Sequence, residues 1–288
     1  MITMNKSIKS NYHTHCTFCD GTVSAEQMVL AAIDKGFDIL GFSSHSMYPF
    51  SDDWHIETTA HTDYCNEIRR LKEVYSGKIK IYTGFEADFI SGWCSPDFSA
   101  YKAFAPDYLI GSVHFVPGKN GGYFEADSTN AADVQKRIED YFYGNIREAV
   151  KSYFACERKM LETCDFSIIG HPDLIRMQNR YESQPMFDEN TQWYKDEVEA
   201  TAEAIAKAGV AVELNTGGLA RGHMHSPYPS LFFLSRLKTK KVPLVLSSDA
   251  HRPEHLDYWF NEAALYAKAA GYTELAYFSD GLFFQRIN

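Results

Sequence analysis

The chain lacks a long apolar run, since no stretch of its 288 residues keeps the roughly 18 consecutive apolar residues that a membrane span needs. It also lacks a basic surplus, with 28 Lys and Arg against 38 Asp and Glu and a formal net charge of −10. Binding to a nucleic-acid backbone, which needs a basic face, is therefore disfavoured. The first residues are not followed by an apolar signal core. These absences predict a cytoplasmic protein with neither a membrane nor a nucleic-acid partner.

Cysteine is scarce and scattered. The six cysteines are Cys16, Cys19, Cys65, Cys94, Cys156 and Cys164. This spacing in a long chain without a secretory signal favours free thiols in a reducing compartment. Cys16 and Cys19 form one Cys-x-x-Cys pair, which without a second pair is only a weak indication of a zinc ribbon or a redox motif. We expect two thiols packed beside the first strand.

The composition present is that of a globular enzyme, with 45% hydrophobic and 23% charged residues. Short apolar runs bounded by turn residues predict seven buried strands, at 10–15, 37–45, 79–86, 108–114, 166–171, 210–215 and 242–251. Helical patterns separate them, at 24–36, 59–75, 131–163, 189–208, 230–240 and 260–270. Strands that alternate with helices imply a parallel sheet. We expect one domain over residues 1–288 and a further short strand in the tail, 278–287.

Local signals mark several boundaries. Ser24 and Gln27 have the spacing of a capping box, and Gly36 and Gly209 are predicted helix stops. Three irregular stretches, 117–127, 176–188 and 217–229, are long enough to be active-site loops.

Most of the predicted strands end in a histidine or a carboxylate. His13 and His15 occupy alternate positions of one strand and therefore point to the same face. The other strand-end residues of ligand type are His45, Glu86, His114, His171, Asp249 and His251. Because catalytic groups of strand–helix barrels lie at the carboxyl ends of the strands, these residues predict a metal site at the rim of a barrel. Imidazole and carboxylate suit zinc, manganese and iron, and the lack of a thiolate cluster disfavours a closed structural zinc site.

The remaining histidines have different expectations. His55, His61 and His255 lie away from the strand ends, and we expect them to be ordinary surface residues. His223 and His225 lie in the 217–229 loop and could reach a substrate.

Taken together, these motifs resemble the polymerase-and-histidinol-phosphatase (PHP) superfamily of metal-dependent phosphoesterases, and within it the histidinol-phosphate phosphatase branch. The likeness covers nearly the whole chain. The motifs that carry it are His13-Thr-His15 with Asp20-Gly21, Ser44-His45, Gly84-Phe-Glu86, Gly111-Ser-Val-His114, Gly170-His171-Pro-Asp173, Glu213-Leu-Asn215 and Ser247-Ser-Asp249-Ala-His251. The resemblance implies a distorted (β/α)7 TIM-like barrel with its metal site at the C-terminal ends of the strands.

The resemblance also implies three divalent ions (zinc, manganese or iron) and their ligands. The first ion would be held by His13, His15, Glu86 and Asp249. The second would share Glu86 and add His114 and His171. The third would take Asp20, His45 and His251, although an Asp-Gly pair such as Asp20-Gly21 is also an ordinary turn.

The implied reaction is hydrolysis of L-histidinol phosphate, in histidine biosynthesis, by a metal-bridging hydroxide that attacks phosphorus. Glu86 and Asp249 would be catalytic through the metals. Arg176 and Arg221 would grip the phosphate with their planar forks of donors, and His45 and His223 are further substrate-binding candidates. The proton for the leaving alkoxide could come from His225, Asp173 or a metal-bound water. Candidates to receive the amine and imidazole of the substrate are Glu125, Asp127, Phe115 and Tyr123.

Two alternatives stay open. The chain could act on another small phosphorylated metabolite, a nucleotide or a nucleic-acid end, or it could be a non-catalytic barrel that binds metal for stability or a partner. A non-catalytic barrel should have lost some ligands, and none is missing here. Neither the metal nor the oligomeric state follows from the sequence.

Overall fold

The structure is a computed structural model, and it describes residues 7–180 and 185–287. Its main feature is a ten-stranded sheet, and a separate two-stranded hairpin lies beside it. The strands are β1 (Ser10–Asn11), β2 (Ile39–Phe42), β3 (His45–Ser46), β4 (Lys80–Asp88), β5 (Tyr108–Ser112), β6 (Phe115–Pro117), β7 (Tyr123–Glu125), β8 (Ile168–Ile169), β9 (Ala211–Asn215), β10 (Leu244–Ser247), β11 (Glu274–Phe278) and β12 (Leu282–Arg286).

The order of the large sheet is β1-β2-β4-β5-β8-β9-β10-β11-β12, with β3 also paired to β4. Within this large sheet, all strand pairs are parallel except the last, in which β12 runs antiparallel to β11. The seven predicted strands correspond to β1, β2, β4, β5, β8, β9 and β10, which are neighbours in chain order. The predicted parallel α/β sheet is therefore confirmed, and the carboxyl ends of these strands lie at one edge.

The segments that follow β1 and β10 also lie side by side. Thr14 forms an isolated parallel bridge with Ala250. The amide of His15 donates to the carbonyl of Ala250 at 2.9 Å, and the amide of Ala250 donates to the carbonyl of His13 at 3.2 Å. The first and last of the seven predicted strands therefore meet at the ends that carry ligand-type residues.

The helices connect the strands as predicted, and the short helix Gly217–Ala220 is an additional one that was not predicted. They are α1 (Ala25–Asp34), α2 (His61–Val74), α3 (Ala131–Phe142), α4 (Ile146–Thr163), α5 (Gln192–Ala208), α6 (Gly217–Ala220), α7 (Leu231–Thr239) and α8 (Phe260–Ala269). The capping box of Ser24 and Gln27 is present at α1. The helical region predicted over 131–163 consists of two helices, because Tyr143 ends α3 with a φ of 55° and Asn145 caps α4 by accepting from the amide of Glu148.

Other differences concern loops and the tail. The 117–127 loop contains β7, and the 217–229 loop begins with α6. The 176–188 loop begins within a 3-10 turn, Leu174–Asn179, and part of it, 181–184, lies outside the described residues. The strand β11 was not predicted, whereas the tail strand is present as β12. All six cysteines are free, and no helix among the described residues is long and apolar enough to cross a bilayer.

The carboxyl group of Glu157 on α4 is fully buried. Its Oε1 accepts a hydrogen bond of 2.7 Å from the hydroxyl of Tyr153. Burial raises the pKa of this carboxyl well above its ordinary value, and the bond from Tyr153 offsets only part of that effect. The folded protein therefore holds Glu157 protonated at pH values where the unfolded chain releases the proton.

We expect Glu157→Gln to stabilise the protein, increasingly so as the pH rises. Because the pKa of Glu157 is higher in the folded protein, this group contributes to the free energy of unfolding. The contribution is fully present below the unfolded-state pKa, near 4.5, and is lost as the pH increases above that value. The glutamine side chain of the variant is neutral throughout this pH range, so the variant does not lose stability in this way. Thermal unfolding of both proteins between about pH 5 and 8 should show a midpoint difference that grows with pH. Glu203→Gln, in which the altered side chain is 67% exposed, is the control, and a difference that does not change with pH would contradict the assignment.

Candidate metal centre

Glu86, at the end of β4, is the centre of the candidate site. Its Oε2 lies 2.9 Å from Nε2 of His13 and 2.9 Å from Nδ1 of His45. Its Oε1 lies 2.9 Å from Nε2 of His171 and 3.4 Å from Nε2 of His114. Only 1% of Glu86 is exposed. One buried carboxylate thus contacts four imidazoles that are far apart in the sequence.

His15 and Asp249 complete one side of this cluster. Nε2 of His15 lies 3.3 Å from Oδ1 of Asp249 and 3.5 Å from Oε2 of Glu86. Nε2 of His13 lies 3.8 Å from the same oxygen of Asp249. The ligand atoms of His13, His15 and Glu86 all lie within 4.8 Å of one another, as do those of His45, Glu86 and His114. Such distances are short enough for each set to share one cation.

A third group lies toward solvent. Nε2 of His251 is 3.1 Å from Oδ2 of Asp20, and Nε2 of His45 is 3.8 Å from Oδ1 of Asp20. Nδ1 of His15 lies 3.9 Å from that Oδ1, and the His15 ring stacks on His251 with centroids 4.0 Å apart. The ligand atoms of these four residues again lie within 4.8 Å of one another. The structure therefore brings all nine residues predicted as metal ligands to one place.

Carboxylates outside the cluster fix two of the imidazoles. Nδ1 of His13 lies 2.8 Å from Oε2 of Glu213, and Nδ1 of His114 lies 2.6 Å from Oδ1 of Asp88. Because a carboxylate only accepts hydrogen bonds, each Nδ1 carries a proton and each Nε2 faces the cluster. Histidines that bind metals are held by an outer carboxylate in this way.

Two buried imidazole nitrogens support the same interpretation. Nε2 of His15 and Nδ1 of His45 have no hydrogen-bond partner among the described residues, although both lie within 3.5 Å of Oε2 of Glu86. Their angles do not suit a hydrogen bond with that oxygen. Neutral imidazole lone pairs that converge on carboxylate oxygens suit a shared divalent cation, so the residues fit the metal ions that the sequence predicts.

The electrostatics of the cluster favour ionised carboxylates. Burial raises the pKa of Glu86, but interactions with the imidazoles of His13, His45 and His114 outweigh burial and hold the pKa well below its ordinary value. The same holds for Asp249, where burial is outweighed by Arg221 and by neighbouring imidazoles. Both carboxylates are therefore charged ligands at neutral pH.

Backbone geometry positions the acidic ligands. Asp249 has a φ of 51°, a left-handed conformation that costs a non-glycine residue of the order of 1–3 kcal/mol. A Cβ on Gly217 would lie 2.7 Å from Cβ of Asp249, and a Cβ on Gly21 would lie 2.4 Å from the amide nitrogen of Cys16. Both glycines therefore permit close approaches that place Asp249 and Asp20 at the cluster.

A cleft of about 720 Å³ opens over the cluster. Predicted residues that line it include His45, Glu125, Asp127, Arg221 and His223. Lining residues that were not predicted to be functional are Thr22, Trp54, Ser128, Thr129, Leu174, Met177, Ala220, Arg252 and His255. Arg221 reaches the cluster itself, since its Nη2 lies 2.9 Å from Oδ2 of Asp249 and its Nη1 lies 3.2 Å from Nδ1 of His251.

Other predicted site residues are not brought to the cleft. Arg176 is buried and donates instead to Glu189 at 2.9 Å and to the hydroxyl of Ser226 at 2.9 Å. His225 is exposed outside the cleft. Asp173 is buried, does not line the cleft, and accepts from the amide of Ser230 at 2.7 Å. Phe115 and Tyr123 also lie outside the lining, although the pairing of their hairpin places both on the same face as Glu125.

The expectation of ordinary surface histidines was wrong for His55 and His61, which are 4% and 0% exposed. The segment after β3 folds back, with the amide of Ile56 donating to the carbonyl of His45 at 2.9 Å, and this buries both rings. Nε2 of His61 lies 2.8 Å from the hydroxyl of Ser46. His255 is partly exposed, but it lines the cleft.

Sequence reasoning missed the roles of Asp88, Glu213 and Trp54. Asp88 lies two residues after Glu86 on β4, and Glu213 lies two residues before Asn215 on β9. The two-residue period of a strand was the available signal, because it places such pairs on one face. No comparable signal marks Trp54, whose position depends on the path of the irregular segment after β3.

Comparison with known proteins places this geometry in a family. A model of the PHP domain matches residues 11–217, which is well over half of the chain. The chain belongs to the PHP-domain family. Its PHP domain includes the ligand-type residues from His13 to His171, whereas Asp249 and His251 lie beyond the matched residues.

Individual relatives of this PHP domain are distant in sequence but extend over most of it. A protein of Deinococcus radiodurans named a probable histidinol-phosphatase is 24% identical and covers 87% of this chain and 89% of its own length. The histidinol-phosphatase of Bacillus subtilis is 25% identical over 87% of this chain and 96% of its own. The crystal structure of a Lactococcus lactis histidinol phosphate phosphatase, complexed with zinc, L-histidinol and phosphate, has 23% identity, a TM-score of 0.71, and coverage of 96% and 98%.

Proposed function

We propose that this PHP domain is a hydrolase that converts L-histidinol phosphate to L-histidinol and inorganic phosphate with the help of bound metal. The observation that carries the proposal is the convergence of five strand-end imidazoles and an acid, Asp249, on Glu86 beneath an open cleft. The names of its relatives, which are histidinol-phosphatases, support this choice of substrate within the family.

We further propose three divalent ions per chain, of zinc, manganese or iron. His13, His15, Glu86 and Asp249 would hold the first, Glu86, His114 and His171 the second, and Asp20, His45 and His251 the third. The ligand atoms form three groups that share His15, His45 and Glu86, and this supports a number of three ions. Bound ions of this kind lower the pKa of water toward neutrality and neutralise charge on phosphoryl oxygens.

The cleft itself suits a substrate with charges of both signs. Arg221 and Arg252 lie among the lining residues, and the positive charge of these two guanidinium groups can receive a phosphate. Glu125 and Asp127 also line the cleft and can receive an ammonium group. Since neither His225 nor Asp173 lies in the cleft, a water molecule is the remaining donor of the three considered for the leaving alkoxide.

The finer architecture proposed for the domain is a distorted (β/α)7 barrel over residues 1–288. The seven parallel strands in chain order support it, as does the pair of backbone hydrogen bonds that joins the segments after β1 and β10. In such a barrel the metal centre would lie at the C-terminal ends of the strands, where barrel enzymes carry their active sites.

The direct test is a comparison of substrates. Protein supplied with zinc, manganese or iron should release phosphate from L-histidinol phosphate with a kcat/KM at least about 100-fold above that for a generic aryl phosphate, because the cleft must recognise polar groups beyond the phosphate. Equal rates on the two compounds would contradict the substrate assignment. No release from any compound in a panel of phosphorylated metabolites would contradict the enzymatic function.

A variant of Trp54 tests whether the cleft recognises the imidazole of the substrate. Its ring lies edge-on to His45 and His114, with centroids 4.6 and 5.3 Å away, and it forms part of the cleft wall. A partly exposed indole beside the metal centre suits stacking of the substrate imidazole. We expect Trp54→Ala to lower kcat/KM for L-histidinol phosphate about three- to ten-fold more than for an aliphatic amino-alkyl phosphate, the range expected for one aromatic pair.

Two variants control this experiment. Trp54→Phe keeps an aromatic face and should recover most of the discrimination. Trp93→Ala removes a tryptophan that is 58% exposed and lies outside the cleft lining, and it should leave both substrates unaffected. If Trp54→Ala slows both substrates equally, the ring does not recognise the imidazole.

A further inference from the structure

A buried chain of alternating acids and imidazoles leads away from the metal centre behind His114. Nδ1 of His114 lies 2.6 Å from Oδ1 of Asp88. The other oxygen of Asp88 lies 2.5 Å from Nε2 of His55, and Nδ1 of His55 lies 2.5 Å from Oδ1 of Asp52. Asp88 and His55 are 1% and 4% exposed, whereas the side chain of Asp52 is 38% exposed. The chain therefore joins the cluster to the surface through two fully enclosed groups.

The direction of each hydrogen bond follows from the chemistry of the partners. An ionised carboxylate only accepts, so His55 donates from both ring nitrogens, one to Asp88 and one to Asp52. Asp88 in turn accepts from His55 with one oxygen and from His114 with the other. Two charge-assisted bonds of this kind fix the plane of the Asp88 carboxylate.

The imidazole of His13 is held differently. Its outer carboxylate, Glu213, accepts from the amide nitrogen of Asn215 at 2.7 Å and from the backbone amide of His171 at 2.8 Å. Both donors are neutral groups on or beside the sheet. The second partner of Asp88 is instead the side chain of His55, which belongs to an irregular segment. The orientation of Asp88 therefore depends on His55, whereas the orientation of Glu213 is fixed by groups on or beside the sheet.

We propose that His55 is a positioning residue for the metal site formed by Glu86, His114 and His171. By holding Asp88, His55 keeps the His114 ring turned so that Nε2 faces Glu86. The inference rests on the proposed metal centre, but it concerns a residue that contacts none of the three ligands of this site through a hydrogen bond. Loss of His55 leaves Asp88 with one partner and the ring of His114 without a fixed orientation.

The test measures metal binding without substrate. Zinc affinities of the metal-stripped wild-type protein and of its variants are determined by competition with a chromophoric chelator. We expect His55→Leu to weaken one binding step about 10- to 100-fold, the usual effect of removing an outer partner of a metal-binding histidine. The same step should be the one lost in His114→Gln, and the other steps should stay as in the wild type.

Two further variants separate positioning from general damage. His55→Gln keeps an amide donor toward Asp88 and should weaken the step less than His55→Leu. His61→Gln alters another buried histidine, which bonds to Ser46 rather than to Asp88, and it should leave the affinities unchanged. If His55→Leu does not fold, as judged by circular dichroism, His55→Gln and His61→Gln decide the comparison.

The outcomes distinguish this inference from the proposed function. If the wild type binds zinc and a folded His55→Leu binds it equally tightly at every step, the inference is overturned and the proposed function is unaffected. Equal weakening in His55→Gln and His61→Gln would overturn it as well. If the wild type binds no zinc, the proposed metal centre and the inference both fall.

Discussion

Glu86→Gln should reduce turnover of L-histidinol phosphate by at least about 10²–10³-fold, the loss that follows removal of one preorganised charge-stabilising group from an active site. Glu86 is the residue on which the candidate site converges, because its two oxygens contact His13, His45, His114 and His171. The amide keeps the size of the side chain but replaces one anionic oxygen with a donor. A donor facing imidazole lone pairs cannot share a cation with them.

The measurement is kcat on L-histidinol phosphate at saturating metal, together with zinc content and thermal unfolding. The variant should remain folded, because the glutamine side chain has the size of the glutamate that it replaces and therefore opens no cavity. Glu57→Gln changes an exposed carboxylate away from the cleft and is the matched control. A Glu86→Gln protein with wild-type kcat would show that the cluster does not perform the chemistry.

Removal of metal should abolish activity and lower the melting temperature. The cluster packs six imidazoles and three carboxylates within contact distance. A ligand that binds only the folded state stabilises that state by mass action. After chelation and buffer exchange, we expect the rate to fall at least about 10³-fold, because water then loses the pKa shift that bound metal supplies. Zinc, manganese or iron should restore both the rate and the melting temperature.

The Glu86→Gln protein is again informative. Added metal should raise its melting temperature less than that of the stripped wild type, because two of the three groups of ligand atoms include Glu86. Calcium, which prefers six to eight oxygen ligands, should restore little in either protein. Stripped wild-type protein that still hydrolyses the substrate at full rate would rule out a metal-dependent mechanism.

The sequence predicts those parts of the molecule that regular strands determine. Glu86, His114 and His171 follow apolar runs, and carboxyl ends of parallel strands in chain order must meet at one edge. For that reason the cluster could be predicted from strand ends, apart from Asp20, which the family resemblance supplied. The assignment of its members to particular ions depended on family resemblance, and it remains a proposal.

The parts that could not be predicted depend on irregular segments and on distant partners. His55 and Trp54 belong to the stretch after β3, whose path is set by tertiary contacts rather than by a periodic pattern. Arg176 was predicted to bind phosphate because it follows β8, but Glu189 and Ser226, which lie in later loops, bind its guanidinium. Proximity to a strand end therefore predicts membership of the site better for short side chains at the strand end itself than for long side chains in the loop that follows.

The central claim is that nine side chains form one cage for several divalent cations, and the metal content of the purified protein tests it most directly. Elemental analysis of protein equilibrated with zinc or manganese and then desalted should give about three ions per chain for the wild type and fewer for Glu86→Gln, in keeping with the three groups of ligand atoms. A folded wild-type protein that retains less than about one ion per chain after the same treatment would contradict the account.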